Sequence, residues 1–202
     1  MNKAKTSPRV ATFAFLLSAF AANAQAGTDF MATGGITSQP VGHYEFCQRH
    51  PEECSRTTWR VSPVNLTPAL WETIVEVNNA VNRSVMPRTD MELWGIEEYW
   101  SYPDIYGDCE DYVLEKRRRL MEAGIPGSNL LVTVVLQPNG DGHAVLTVNT
   151  HMGDYVLDNM EARVLPWSET PYEYLKRQSE HHSGKWVSIE HGRDVLVGSV
   201  SQ

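Results

Sequence analysis

Residues 130–149 read LLVTVVLQ-PNGDG-HAVLTVN. Two runs rich in β-branched residues, Leu130 to Gln137 and His143 to Asn149, flank the turn Pro138-Asn139-Gly140-Asp141-Gly142. A second tight turn, Thr150-His151-Met152-Gly153, leads into a third run, Asp154 to Asp158 (DYVLD). Turns this short join antiparallel strands, so the segment predicts a meander.

Upstream the pattern is helical. Thr67-Pro68 supplies an N-cap followed by proline at the first helical position. Leu70, Ile74, Val77 and Val81 then recur on one helix face, which should end near Ser84 before Pro87. A second helix is expected from Cys109 to Ala123, with Val113, Leu114, Leu120 and Met121 as its apolar stripe. Arg117, Arg118 and Arg119 fall in its later turns, where cations suit the dipole. Gly124 suits the left-handed closing position, Ile125 folds back on Leu120, and Pro126 stops continuation. Between the helices, residues 85–107 form an aromatic, turn-rich and ordered loop. Beyond the meander we expect a helix near Pro171 to Glu180 and strands around Trp186–Ile189 and Val195–Val197. Helices followed by an antiparallel sheet give an α+β class.

The start of the chain reads as a leader. Lys3, Lys5 and Arg9 precede an apolar run from Val10 to Ala22, and small-residue sites follow at Ala22-Asn23-Ala24 and Ala24-Gln25-Ala26. Residues 1–26 are therefore expected to be a signal peptide cleaved after Ala26, which makes the protein periplasmic or secreted. Residues 27–42 read as a flexible lead-in and 43–202 as one domain. Losing three basic residues and no acid moves the formal charge from −8 to −11. So acidic a chain disfavours nucleic acid as a partner. No stretch of the mature chain approaches the roughly 20 apolar residues of a membrane span.

An oxidising compartment makes the cysteines disulfide-competent. Cys47 and Cys54 lie seven positions apart and can pair, leaving Cys109 as the odd thiol. A zinc site on Cys47, His50 and Cys54 is the rival reading, without a visible fourth ligand. Cys109 opens a helix, His143 opens a strand and Asp158 closes the next strand. A helix N-terminus favours the thiolate. A histidine facing the sulfur can carry its proton, and a carboxylate can orient the imidazole. An inert buried thiol remains the alternative for Cys109.

Three blocks carry a likeness beyond this order: Gly107-Asp108-Cys109-Glu110-Asp111-Tyr112, Gly142-His143-Ala144-Val145-Leu146 and Gly153-Asp154-Tyr155-Val156-Leu157-Asp158-Asn159. They resemble the bacterial transglutaminase-like cysteine proteinases, over most of the chain from Phe46-Cys47 to Trp186. LapG-like periplasmic proteases form one branch of that family. The resemblance implies a papain/transglutaminase-like fold with Cys109 as nucleophile, His143 as general base and acid, and Asp158 as orienting carboxylate. It also implies a protein substrate in the cell envelope, a surface adhesin in the LapG-like branch, and calcium held by Asp108 and Glu110.

The acids pose their own problem. Asp108, Glu110 and Asp111 crowd a sulfur that must become negative, and like charges raise its pKa. Helix capping by Asp108 and Asp111 is one reading; a calcium ion held by oxygen ligands is the other. A transglutaminase-type acyltransferase and a catalytically silent calcium-dependent binding module are the alternative functions. Asn82 could reach the cleft as an oxyanion donor, or lie on a polar helix face. Trp100 could wall a substrate groove, or belong to the core.

Overall fold

A computed structural model describes Met1 and residues 29–55, 57–58, 61–190 and 199–200. The expected leader and the strand at Val195–Val197 lie outside the described residues. In chain order the elements are β1 (Thr33–Thr37), β2 (Gln39–Pro40), α1 (Val41–Arg49), α2 (Pro68–Ser84), β3 (Met86–Pro87), α3 (Asp90–Trp94), β4 (Tyr106–Gly107) and α4 (Cys109–Glu122). They continue with β5 (Leu130–Leu136), β6 (Gly142–Thr150), β7 (Gly153–Leu157), β8 (Leu165–Pro166), β9 (Glu173–Ser179), β10 (His182–Ile189) and β11 (Ser199–Val200). Seven strands form one antiparallel sheet in the order β1-β10-β9-β5-β6-β7-β8. The fold is α+β, with the expected meander β5-β6-β7 forming one half of the sheet.

The central strands are covered on both faces, which is why β5 is apolar at nearly every position. Val132, Val134, Leu146, Val148 and Leu157 pack with Ile74 of α2 and Val113, Leu114 and Leu120 of α4. On the other face, Val135, Val145, Val156 and Tyr174 pack with Met31 and Trp167. The helix signals are realised as expected. The Thr67 side chain accepts the Leu70 N–H, with Pro68 at the first helical position. At the end of α4, Gly124 sits at φ 94°, and the Ile125 N–H returns to the Leu120 carbonyl at 3.0 Å.

Three expectations are corrected. Residues 171–180 do not form a helix: Glu173–Ser179 is the strand β9 between β5 and β10. Its period is hidden because polar side chains are buried there with dedicated partners. Lys176 donates to the Ser38 carbonyl, Arg177 pairs with Asp154 and Glu180, and the Gln178 Oε1 accepts the Val132 N–H. The lead-in at 27–42 instead contains β1, β2 and the start of α1. β1 is an edge strand whose residues are mostly exposed, so no apolar alternation marks it. Finally, Arg117 does not serve the helix dipole: it is buried, donates to the Leu130 carbonyl and pairs with Glu53.

Cys47 and Cys54 form a disulfide, and Cys109 is a free thiol. The zinc reading fails because the two sulfurs are bonded to each other. The imidazole beside them is His43, 3.8 Å from the Cys47 Sγ, while His50 packs on Phe46. Non-reducing peptide mapping should find the Cys47–Cys54 bridge and an alkylatable Cys109. Replacing both bridged cysteines by serine should cost about 2 kcal/mol, read as a lower Tm, by freeing the short loop in the unfolded chain. A mapped bridge containing Cys109 would contradict this pairing.

Candidate active site

The start of α4 is set by a close approach. A Cβ on Gly107 would lie 2.7 Å from the Asp111 Cβ, so only glycine lets β4 run this close to the helix. Cys109 then occupies the first turn of α4, half-buried, with its Sγ donating to the Glu110 carboxylate at 3.0 Å. Burial and the neighbouring Glu110 charge push the thiol well above its ordinary range, and a hydrogen bond from the Ala144 backbone opposes them. Strand β6 therefore touches the sulfur one residue past His143.

A hairpin turn brings His143 to the same end of the sheet. Gly140 takes φ 91°, the Gln137 N–H donates to the Asp141 carbonyl at 2.9 Å, and His143 lies across from Val135. The Asn139–Gly142 stretch is thus a turn between strands, as expected of a hairpin. His143 is buried, and its Nε2 lies 2.9 Å from Asp158 Oδ1. The Met160 N–H also donates to Oδ1, the Tyr172 hydroxyl donates to Oδ2, and the Asn82 amide donates to the Asp158 carbonyl at 2.8 Å. Burial alone would raise the Asp158 pKa; the bonds from His143, Met160 and Tyr172 outweigh it and hold the carboxyl below its ordinary value. Because Asp158 takes Nε2, the Nδ1 atom is the one that remains to meet a thiol.

Cys109 and His143 line one cleft of about 320 Å³, with Pro40, Glu98, Trp100, Glu110, Val134, Gly142 and Ala144. Trp100 serves both expected roles, since it walls this cleft and is almost wholly buried. Asn82 does not line this cleft; its amide donates to the Asp158 carbonyl instead. Two supporting residues escaped the sequence reading. Tyr172 holds the second Asp158 oxygen and packs its ring on His143, 5.5 Å between centroids. Asp90, the other, belongs to the acidic cluster.

That cluster corrects the capping reading. Asp108 makes no side-chain cap; its Oδ2 accepts the Asp90 N–H at 3.2 Å. Asp111 accepts the Ser101 N–H at 2.7 Å, and Asp90 accepts the Tyr99 N–H. Oxygens of Asp90, Asp108 and Glu110 lie within 4.8 Å of one another. Burial, then mutual repulsion, raises Asp108 to about 6 and pushes Glu110 well above its ordinary value. Burial lifts Asp111 to about 8 against the pull of its bond from Ser101. Asp90 Oδ1, Asp108 Oδ1 and Asp111 Oδ2 are buried with no hydrogen-bond partner among the described residues. Orphaned buried carboxylate oxygens are costly. An all-oxygen donor set of this kind fits a hard cation.

A family model described as bacterial transglutaminase-like cysteine proteinase (BTLCP) matches residues 33–194. The structure is similar to that of Legionella pneumophila LapG, with 25% identity, covering 61% of this chain and 71% of that one at a TM-score of 0.50. It is also similar to a calcium-bound structure of that protein, with 22% identity, 67% and 78% coverage and a TM-score of 0.51. An EGTA-treated structure of LapG matches at 25% identity, 61% and 69% coverage and a TM-score of 0.50. No curated protein matches the chain.

Proposed function

The chain belongs to the bacterial transglutaminase-like cysteine proteinases, and on that footing we propose that Cys109, His143 and Asp158 form the catalytic triad of this cysteine peptidase. The observation that carries the proposal is the buried His143–Asp158 pair, 2.9 Å apart, opening into the cleft that holds the free thiol. Cys109 attacks the carbonyl carbon of a peptide bond, and His143 takes the thiol proton through Nδ1. The same proton goes to the departing amine as the thioester forms, and water released of a proton by His143 then hydrolyses it. Asp158 keeps the imidazole in the tautomer that accepts at Nδ1 and steadies its cationic form. The backbone N–H of Cys109, at the helix N-terminus, supports the oxyanion.

The acidic cluster supports calcium as the resident ion, with Asp90 joining Asp108 and Glu110 as the holding carboxylates. Held there, calcium would neutralise the charge flanking the thiol and would link the start of α3 to the start of α4. Calcium-bound and EGTA-treated structures of LapG accord with this reading. The substrate is a protein of the cell envelope, a surface adhesin in the LapG-like case, and residues 1–26 act as a cleaved signal for export to the periplasm or beyond. The peptidase unit includes β1 and β2 ahead of residue 43, since β1 belongs to the main sheet and Pro40 lines the cleft. Among the described residues no helix is long and apolar enough to cross a membrane.

Comparing the N-termini of envelope proteins in cells with the wild type and with Cys109→Ala tests the function. A protein with a new N-terminus only in the wild-type cells is expected; identical N-terminal sets would overturn the proposal. Tyr172→Phe removes the hydroxyl on Asp158 and keeps the ring on His143. It should lower kcat about tenfold with KM unchanged, the cost of one hydrogen bond to a charged group. Steady-state kinetics on the identified substrate checks this, and an unchanged kcat would make Tyr172 a packing residue only.

A further inference from the structure

The catalytic cleft holds a carboxylate that neither the triad nor the calcium site uses. Glu98 lines it beside Trp100, Cys109 and His143. The residue is exposed as a whole, but one end of its carboxylate is fixed: Trp100 Nε1 donates to Glu98 Oε2 at 3.1 Å. Glycine at position 42 lets this pair tuck against the start of α1. A Cβ there would lie 2.4 Å from Trp100 Cδ1 and 3.1 Å from Glu98 Oε2. Trp100 is itself almost wholly buried, so the carboxylate hangs on a rigid wall of the cleft. The other oxygen, Oε1, has no hydrogen-bond or ion-pair partner among the described residues.

The surroundings offer this carboxylate no counter-charge. Among the described residues that line the cleft there is no lysine or arginine. Arg49 is committed elsewhere, donating to the Trp100 carbonyl at 2.6 Å and lying over the face of Tyr99. Burial of the carboxylate end raises the Glu98 pKa, as does repulsion from Asp90 and Glu97, and the Trp100 bond opposes them. Glu98 also stands outside the group of Asp90, Asp108 and Glu110 oxygens. An ion in that group would take up the Glu110 charge and leave the Glu98 charge in the cleft. A partly desolvated carboxylate with an open oxygen, in a cleft without a cation of its own, recognises positive charge. The cleft measures about 320 Å³ and already contains the nucleophile and the histidine, so it takes the part of a substrate next to the bond being cleaved.

We infer that Glu98 is a specificity-determining residue: its open oxygen takes the ammonium or guanidinium of a Lys or Arg side chain immediately flanking the scissile bond, so that the preferred substrate is a polypeptide with a basic residue there. The inference rests on the peptidase reading above for its consequence in catalysis. Its physical content, the preference of the cleft for positive charge, can be measured without any substrate.

The direct probe is a pair of thiol reagents of opposite charge. Cys109 is the free thiol, so the full chain in calcium-containing buffer is modified there by trimethylammonioethyl methanethiosulfonate or by its sulfonatoethyl counterpart. In either reaction the Cys109 thiolate bonds to the reagent's sulfenyl sulfur and methanesulfinate leaves. The ratio of the two rates, divided by the same ratio for a small free thiol, cancels the thiol pKa and reports the field of the cleft. It should exceed about ten in the wild type, fall about fivefold in Glu98→Gln and fall further in Glu98→Lys. Glu97→Gln, outside the cleft lining, should change it by less than about twofold. Calorimetry should find the calcium affinity of Glu98→Gln within about twofold of wild type. For the substrate itself, a proteome cut after aromatic residues supplies peptides with internal basic and acidic residues. Bonds cleaved by the wild type and spared by Cys109→Ala should be enriched in flanking Lys or Arg. Glu98→Gln should lose that enrichment, and Glu98→Lys should favour Asp or Glu instead. A wild-type ratio near one, a ratio unchanged in folded Glu98→Gln and Glu98→Lys, or a loss of calcium binding equal to that of Glu110→Gln would each overturn the inference. Cys109-dependent cleavage without basic enrichment would do so as well. The expected ratios with no Cys109-dependent cleavage of any peptide or envelope protein would instead uphold the cation preference and count against the peptidase reading.

Discussion

Cys109→Ala is expected to abolish peptide-bond cleavage, with a loss of at least ~10⁴-fold in kcat and an unchanged fold. The side chain is small and half-buried, so the substitution removes the nucleophile and little packing. His143→Ala should be as severe, since without its imidazole nothing shuttles the proton between sulfur and leaving amine. Asp158→Asn should cost ~10²–10⁴-fold by favouring the wrong tautomer of His143. Loss of the group that takes the hydrogen bonds from Met160, Tyr172 and His143 places it above Tyr172→Phe in severity. Combining Cys109→Ala with Asp158→Asn should cost no more than Cys109→Ala alone, because residues acting as a unit are not additive. Circular dichroism checks the fold and quantified cleavage checks the rates; residual cleavage by Cys109→Ala above a thousandth of wild type would contradict the assignment.

Removing calcium should have the next largest effect. Chelation is expected to suppress activity by ~10²-fold or more, calcium to restore it, and magnesium to restore less because its strict octahedral shell suits an irregular protein site poorly. Asp108→Asn, Glu110→Gln and Asp90→Asn should each weaken calcium binding by calorimetry, although Asp90 is far from the other two in sequence. The metal-free protein should also show a characteristic dependence of stability on pH. Folding raises Asp108 to about 6 and Asp111 to about 8 from an ordinary value of 3.8. For acids raised in this direction the stabilising, protonated form is fully present below the ordinary value and lost as pH rises through the folded ones. Chelated protein should therefore lose Tm between about pH 4 and pH 8, and calcium should remove or reverse that slope, because it favours the ionised carboxylates. No binding heat at saturating calcium, with activity indifferent to chelator, would leave the cluster without an ion.

Where the chain announced its structure, the signals were local. Thr67-Pro68, the i, i+4 apolar face of α2, the Gly124 stop and the short turns around Gly140 and Gly153 each act over a few residues, so they survive without knowledge of the fold. β9 is hidden from sequence because Lys176, Arg177 and Gln178 are buried by partners between β1 and β2, on β7 and on β5, a fact no window of β9 contains. β1 was missed for the opposite reason: exposed at an edge, TGGIT needs no apolar pattern. The site divides in the same way. Cys109, His143 and Asp158 stand out through their places at element ends and through the three family-like blocks. Asp90 and Tyr172 matter through contacts across the fold. Asp90 sits at the start of a five-residue helix opened by a capping box, where an acid has an ordinary explanation, and nothing in its own neighbourhood points to Asp108.

The most direct test is to quench the reaction of wild-type protein with its cleaved substrate in acid and map the adduct by mass spectrometry. The account predicts a thioester-linked acyl fragment of the substrate on the peptide containing Cys109, absent from Cys109→Ala, and liberated with time as the hydrolysed product. Turnover without any adduct on Cys109, together with cleavage by Cys109→Ala, would contradict the account.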